Sequence, residues 1–127
     1  MSVVLDTSAL IAFLNDEIGA EKVAPTLSKA IMSAVNVAEV LKYFHDDRGM
    51  TLEQATTIFT HTGVRIVPLD KEQAIINAAL RPPTKPYGLS LGDRACLALA
   101  QVKSLPVLTA DKHWADVDIG VHMRMIR

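Results

Sequence analysis

The chain has 127 residues, half of them hydrophobic and 21% charged, with a formal net charge of −1. That length and composition suit one globular domain, residues 1–127, and exclude both a two-domain protein and a disordered chain. A near-neutral total excludes nucleic-acid recognition by bulk charge, and 5% aromatic residues exclude a base-stacking platform.

Val3–Leu5 is rich in β-branched residues and reads as a buried strand. Ser8–Leu14 is an apolar helix, and Glu17–Leu27 is a second helical stretch interrupted at Pro25. Ala30–Ser33 is the second predicted strand. From Asn36 to Arg48 the spacing is helical, with Val37, Val40, Leu41 and Phe44 on one face and Gly49 as its end. Thr51 caps a further helix reaching about residue 62, with Leu52, Ala55 and Phe59 inward, and Gly63 stops it. Arg65–Leu69 is the third strand, and Asp70 caps a helix over 71–80. The proline-rich segment Arg81–Gly88 reads as a loop. Ser90–Lys103 is so apolar that its helix must be buried. Pro106–Leu108 is the fourth strand, and the weak alternation of Val121–Ile126 suggests a fifth at the sheet edge. Strands alternating with helices predict an α/β fold, a parallel sheet wrapped by helices.

One cysteine, Cys96, allows no intrachain disulfide and fits a reducing compartment, with core packing as its expected role. Asp6 interrupts an N-terminal segment with no basic leader, so no signal peptide is expected. No apolar run approaches the ~18 residues of a membrane helix. The expectation is a soluble cytoplasmic protein without a membrane partner.

Acidic residues stand beside the apolar runs: Asp6 after Val3–Leu5, Glu39 beyond Ile31-Met32, Asp93 opening the run Ala95–Ala100, and Asp111 after Val107-Leu108. Each has a structural reading as a helix cap. Asn36-Val37-Ala38-Glu39 fits a capping box, and Ser90-Leu91-Gly92-Asp93 is nearly one, with Asp in place of Glu. Asp70 serves as a control, because Asp70-Lys71-Glu72-Gln73 also fits such a box and carries no expected chemistry. Topology separates the two readings. In open parallel sheets, ligands bind at the carboxyl ends of strands where strand order reverses. If the first strand is central, flanked by the second and fourth, then Asp6, Glu39 and Asp111 share one crevice. Asp93 overhangs it, and Asp70 is removed to an edge. Converging carboxylates must protonate or take up a cation, and a carboxylate-bound divalent metal suits phosphodiester hydrolysis.

Other candidates are weaker. His45, His61, His113 and His122 include no pair at metal-ligand spacing, and Ser8 has no histidine base beside it. Trp114 reads as a packing anchor. A haloacid-dehalogenase-type phosphatase needs a second aspartate two residues after the first, where this chain has Ser8. A receiver domain needs an acidic pair after the first strand, where only Asp6 stands.

Four segments, taken in order, resemble the PIN-domain nucleases, and more narrowly the VapC toxins of type II toxin–antitoxin systems. They are Val3-Val4-Leu5-Asp6-Thr7-Ser8-Ala9-Leu10, Ser33-Ala34-Val35-Asn36-Val37-Ala38-Glu39-Val40, Leu89–Ala100 and Val107-Leu108-Thr109-Ala110-Asp111. The resemblance implies a three-layer α/β/α sandwich around a mostly parallel sheet of four or five strands. It implies an Mg2+- or Mn2+-dependent endoribonuclease acting on tRNA or another structured RNA, a homodimer, and a cognate antitoxin. It carries over Asp6, Glu39, Asp93 and Asp111 as the catalytic acids, with Asp6, Asp93 and Asp111 on the metal. Asp116, in preference to Asp118, is the fifth acid. Ser8 and Thr109 are supporting hydroxyls, and Arg94 is a phosphate contact. The alternative within this fold is a PIN-like module that binds RNA or a partner without cutting.

Overall fold

Five short strands lie side by side in one sheet: β1 (Val3–Leu5), β2 (Ala30–Ser33), β3 (Arg65–Val67), β4 (Val107–Thr109) and β5 (Met123–Met125). The computed structural model describes residues 2–127. The order is β3-β2-β1-β4-β5, and all neighbours run parallel. Parallel neighbours cannot be joined by tight hairpins, so each connection crosses a face of the sheet. These crossovers contain α1 (Thr7–Leu14), α2 (Ala20–Val23), α3 (Ala34–Lys42), α4 (Leu52–His61), α5 (Lys71–Ala79), α6 (Arg81–Thr84) and α7 (Leu91–Lys103).

The pleat divides the apolar side chains between two cores. Val3, Leu5, Ala30, Met32 and Leu108 point to one face, where they meet Leu10 of α1, Val37 and Val40 of α3, and Phe59 of α4. Val4, Ile31 and Val107 point to the other, against Cys96, Leu97 and Leu99 of α7 and the indole of Trp114. The result is the expected α/β/α sandwich. Full burial of each large apolar side chain contributes about 1.5–3 kcal/mol, so this doubled core holds the short strands rigidly.

Several boundaries differ from the sequence reading. The stretch Glu17–Leu27 is not one helix. After Gly19, at φ +100°, α2 gives way to a 3-10 turn over Ala24–Lys29 with Pro25 in its first turn, where a missing N–H costs nothing. The helix expected from Asn36 begins at Ala34, with Ser33 accepting from Val35 N, and it turns into a π-helical turn over Tyr43–Asp47. Leu52 is exposed, because as the first residue of α4 it lies beyond the core-facing turn set by Ala55 and Phe59. Arg81–Gly88 is not an open loop. Its prolines sit in the first turns of α6 and of a 3-10 turn over Lys85–Tyr87, positions that tolerate them. Thr84 Oγ1 ties the segment down by donating to Leu80 O at 2.7 Å. Among the described residues, no helix is long and apolar enough to cross a membrane.

Candidate functional site

The register aligns Leu5 of β1 with Leu108 of β4, so the next residue of each strand meets at the same carboxyl end of the sheet. Asp6 N donates to Leu108 O at 3.0 Å and fixes the first acid at that junction. Asp6 occupies the N-cap position of α1, yet its side chain makes no cap hydrogen bond. Its Oδ2 instead accepts from Ser8 Oγ at 2.5 Å and from Thr109 Oγ1 at 2.7 Å. The two hydroxyls lie 3.3 Å apart, but each has spent its single proton on Asp6. Each in turn accepts a main-chain N–H, Ser8 from Ala110 and Thr109 from Asp111, both at 3.0 Å. Backbone amides therefore orient hydroxyls, and hydroxyls orient the carboxyl.

Asp6 is only 3% exposed. Burial pushes its carboxyl up from 3.8 to about 6; the Ser8 and Thr109 hydroxyls pull the other way, and the Asp93 charge adds to the rise. Asp93 is half-buried, and its carboxyl is also raised, first by burial and then by the charges of Asp111 and Glu39, against the lowering effect of its Ser90 hydrogen bonds. Cys96 lies fully buried beneath the acids. Its thiol is pushed well above the ordinary value by burial and by Asp6, Asp93 and Glu39, as befits an inert core residue.

The cap readings divide. Asp93 does form a capping box with Ser90: Asp93 N donates to Ser90 Oγ at 3.1 Å and Ser90 N to Asp93 Oδ2 at 2.9 Å. Asp111 accepts from His113 N at 2.9 Å and from the exposed His113 ring at 3.0 Å. Glu39 caps nothing. Its Oε1 accepts from Thr7 Oγ1 at 2.7 Å and from Asn36 Nδ2 at 3.0 Å, because Asn36 lies inside α3 rather than at its start. Asp70 caps α5 through Gln73 N at 2.9 Å beside β3, an edge strand, and stands apart from the acids as expected.

The remaining predicted residues separate from this group. Arg94 is turned to α5, with its guanidinium donating to Asn77 O at 3.3 Å and Ser90 O at 3.4 Å. Asp116 and Asp118 are both exposed, and neither makes a hydrogen bond or ion pair within the described residues. Thr7 and Asn36 hold Glu39; Thr7, 32 residues from that acid, had no sequence signal for the role, and the three-residue spacing of Asn36 reads equally well as a cap.

Each acid here is held by protein donors, and among the described residues no three acidic, histidine or cysteine side chains close on a single point. Mutual repulsion and those separate donors account for the spread. The chemistry of the set still fits a hard divalent cation, being built from carboxylates and hydroxyls, with Asp6 buried and deprived of its ordinary acidity. Asp6, Asp93 and Asp111 are the residues that would hold it. An open groove of about 590 Å³ begins at Thr7 and Glu39, the one acid of the set on its wall, and continues past Val35, Lys42 and Tyr43 to Asp47.

The model of the PIN-domain family matches residues 3–120. A VapC ribonuclease of Mycobacterium bovis is 29% identical over 125 residues, spanning 91% of this chain and 95% of the relative. Ribonuclease VapC42 of Mycobacterium tuberculosis matches to the same extent. Among solved structures, a toxin–antitoxin complex from Klebsiella pneumoniae superposes with a TM-score of 0.72 at 26% identity, covering 94% of both chains. A DNA-bound VapBC from Salmonella typhimurium gives 0.77 at 15% identity over 100% of this chain and 99% of the other, a likeness of fold alone.

Proposed function

The chain belongs to the PIN-domain family, and from that premise we propose that it is an endoribonuclease, the toxin of a type II toxin–antitoxin system. The relatives that span nearly its whole length are VapC ribonucleases, and the Klebsiella structure is a toxin–antitoxin complex. The observation that carries the reading is Asp6, a buried carboxyl at the carboxyl end of the central strand, held by two hydroxyls and raised to about 6 with Asp93 beside it. Asp6, Asp93 and Asp111 would hold a divalent cation, Mg2+ or Mn2+, whose chemistry there would be to make a water more acidic and to offset charge on the scissile phosphate.

The chain's own residues do the rest. Ser8 and Thr109 hold Asp6 in one orientation and favour its charged form. The Ser90 cap binds Asp93 through Oδ2 and leaves Oδ1 for a ligand. Asp111, held by Thr109 and His113, or else Asp116, would orient or deprotonate the attacking water. Glu39 lines the groove into which the RNA strand enters, and Lys42 stands on its wall, ion-paired to Asp47 at 3.2 Å until a phosphate replaces that partner. Asp116 would join as a fifth acid only by a movement of the exposed turn that carries it. Arg94 would reach a phosphate only by giving up its main-chain partners. The substrate is tRNA or another structured RNA of the cytoplasm. The protein works as a homodimer, and a cognate antitoxin silences it.

The test is cleavage of total cellular RNA by wild type and Asp6→Asn, each with Mg2+, Mn2+ or EDTA. Metal-dependent cutting by wild type alone supports the nuclease. A folded wild type that binds neither Mg2+ nor Mn2+ refutes it.

A further inference from the structure

We propose that Asn36 is the positioning residue for Glu39, a role it performs by bridging α3 to the start of α7; the inference rests on the nuclease reading of the acids. Asn36 is fully buried at the rim of the sheet. Its Nδ2 donates twice, to Glu39 Oε1 at 3.0 Å and to Gly92 O at 3.0 Å. Both neighbours are acceptors only, so the amide fits in one orientation and cannot flip. Its Oδ1, facing away, is buried without a hydrogen-bond partner among the described residues.

That arrangement is a poor way to stabilise a helix. Asparagine is a weak helix former, and a buried unpaired carbonyl is a cost that an apolar side chain would avoid. A local violation of this kind is expected where a residue serves a site. Spacing gives Asn36 and Glu39 one face of α3. The Gly92 end of the bridge is one residue from Asp93, so one amide sets the distance between two acids on different helices. Thr7 Oγ1 completes the hold on the same oxygen of Glu39 at 2.7 Å. Glu39 Oε2 lies against Gly92 and makes no hydrogen bond among the described residues.

The experiment is a double-mutant cycle with a structural arm. Asn36→Asp keeps the shape and removes the donor; Asn36→Ala removes the donor without adding charge and serves if the aspartate variant does not fold. On an RNA substrate, each is expected to lower kcat about 10- to 100-fold with KM within about twofold. In a Glu39→Gln background the same change is expected to cost no further kcat. A drop of equal size in both backgrounds, or no drop in wild type, overturns the proposal and leaves Asn36 as a mere α3–α7 tie. In a crystal structure of Asn36→Ala, the Glu39 carboxylate is expected to leave Thr7. A carboxylate that stays in place overturns the proposal whether or not the wild type cuts RNA, whereas an inactive wild type counts against the nuclease reading alone.

Discussion

Thr109 donates its hydroxyl to Oδ2 of Asp6 across 2.7 Å, joining residues 103 positions apart at the carboxyl ends of adjacent strands. The Thr109 hydroxyl oxygen itself accepts from Asp111 N at 3.0 Å, so one hydroxyl relates two of the acids. Thr109→Val keeps the shape and removes both bonds. The Asp6 carboxyl then loses a donor that favours its charge, and it should titrate above about 6. Each unit of rise reduces the ionised fraction below the pKa about tenfold. At pH 6.5, just above that value, a one-unit rise would cut the ionised fraction, and with it cleavage, about threefold, with recovery as pH rises. Asp6 titration followed by carboxyl NMR, with the pH profile of cleavage, checks this. An unchanged profile would mean that Ser8 alone sets the acid.

Asp6→Asn should stabilise the metal-free protein while abolishing cleavage. Asp6 titrates at about 6 when folded, against 3.8 without the fold. Its neutral form is thus favoured by folding. That contribution is complete below pH 4 and is lost as pH rises through 6. The span amounts to about 3 kcal/mol as an upper figure, and Asp93, also raised, acts in the same direction. In EDTA, the asparagine variant should melt higher than wild type at pH 8, with the gap closing by pH 4. Differential melting curves across that range decide it. A variant that melts lower at pH 8 would show that Asp6 is not strained by charge.

The sequence made the architecture legible because the strands are short, apolar and separated by amphipathic helices, and because the order of apolar runs determines which acids share a crevice. It placed Asp6 and Asp111 at neighbouring strand ends and removed Asp70 to the edge, as the sheet order bears out. It misread segments where proline and asparagine have two uses. Pro82 and Pro83 suit the first turn of a helix as well as a loop, and only the Thr84 anchor decides between them. Asn36 suits an N-cap as well as a buried bridge, and the choice depends on Ser33 taking the cap from a strand end. The side-chain direction of Arg94 was invisible, since its partner Asn77 lies 17 residues earlier on another helix.

Asp70→Ala separates capping from chemistry. Asp70 accepts Gln73 N at 2.9 Å and touches none of the acids at the strand ends. Loss of such a cap costs about 1 kcal/mol, a fall of roughly 3–6 °C in Tm for a chain of this size. Cleavage rate at 25 °C should stay within about twofold of wild type. A melting curve and a rate measurement suffice. A large loss of rate with an intact fold would place α5 within the catalytic surface.

Gly92→Ala sets stability against activity at one atom. Gly92 lies in the first turn of α7, where helix propensity alone favours alanine by up to about 1 kcal/mol. A Cβ there would come within 2.5 Å of Glu39 Oε2 and 2.9 Å of its Cδ. Those atoms are the far end of a side chain with several rotatable bonds, so the carboxylate should yield before either helix does. The variant is therefore expected to melt within about 2 °C of wild type or higher, while kcat falls at least about tenfold because Glu39 is displaced from its acid partners. Gly92→Ala with full activity and a lowered Tm would mean that the helices part and Glu39 keeps its place.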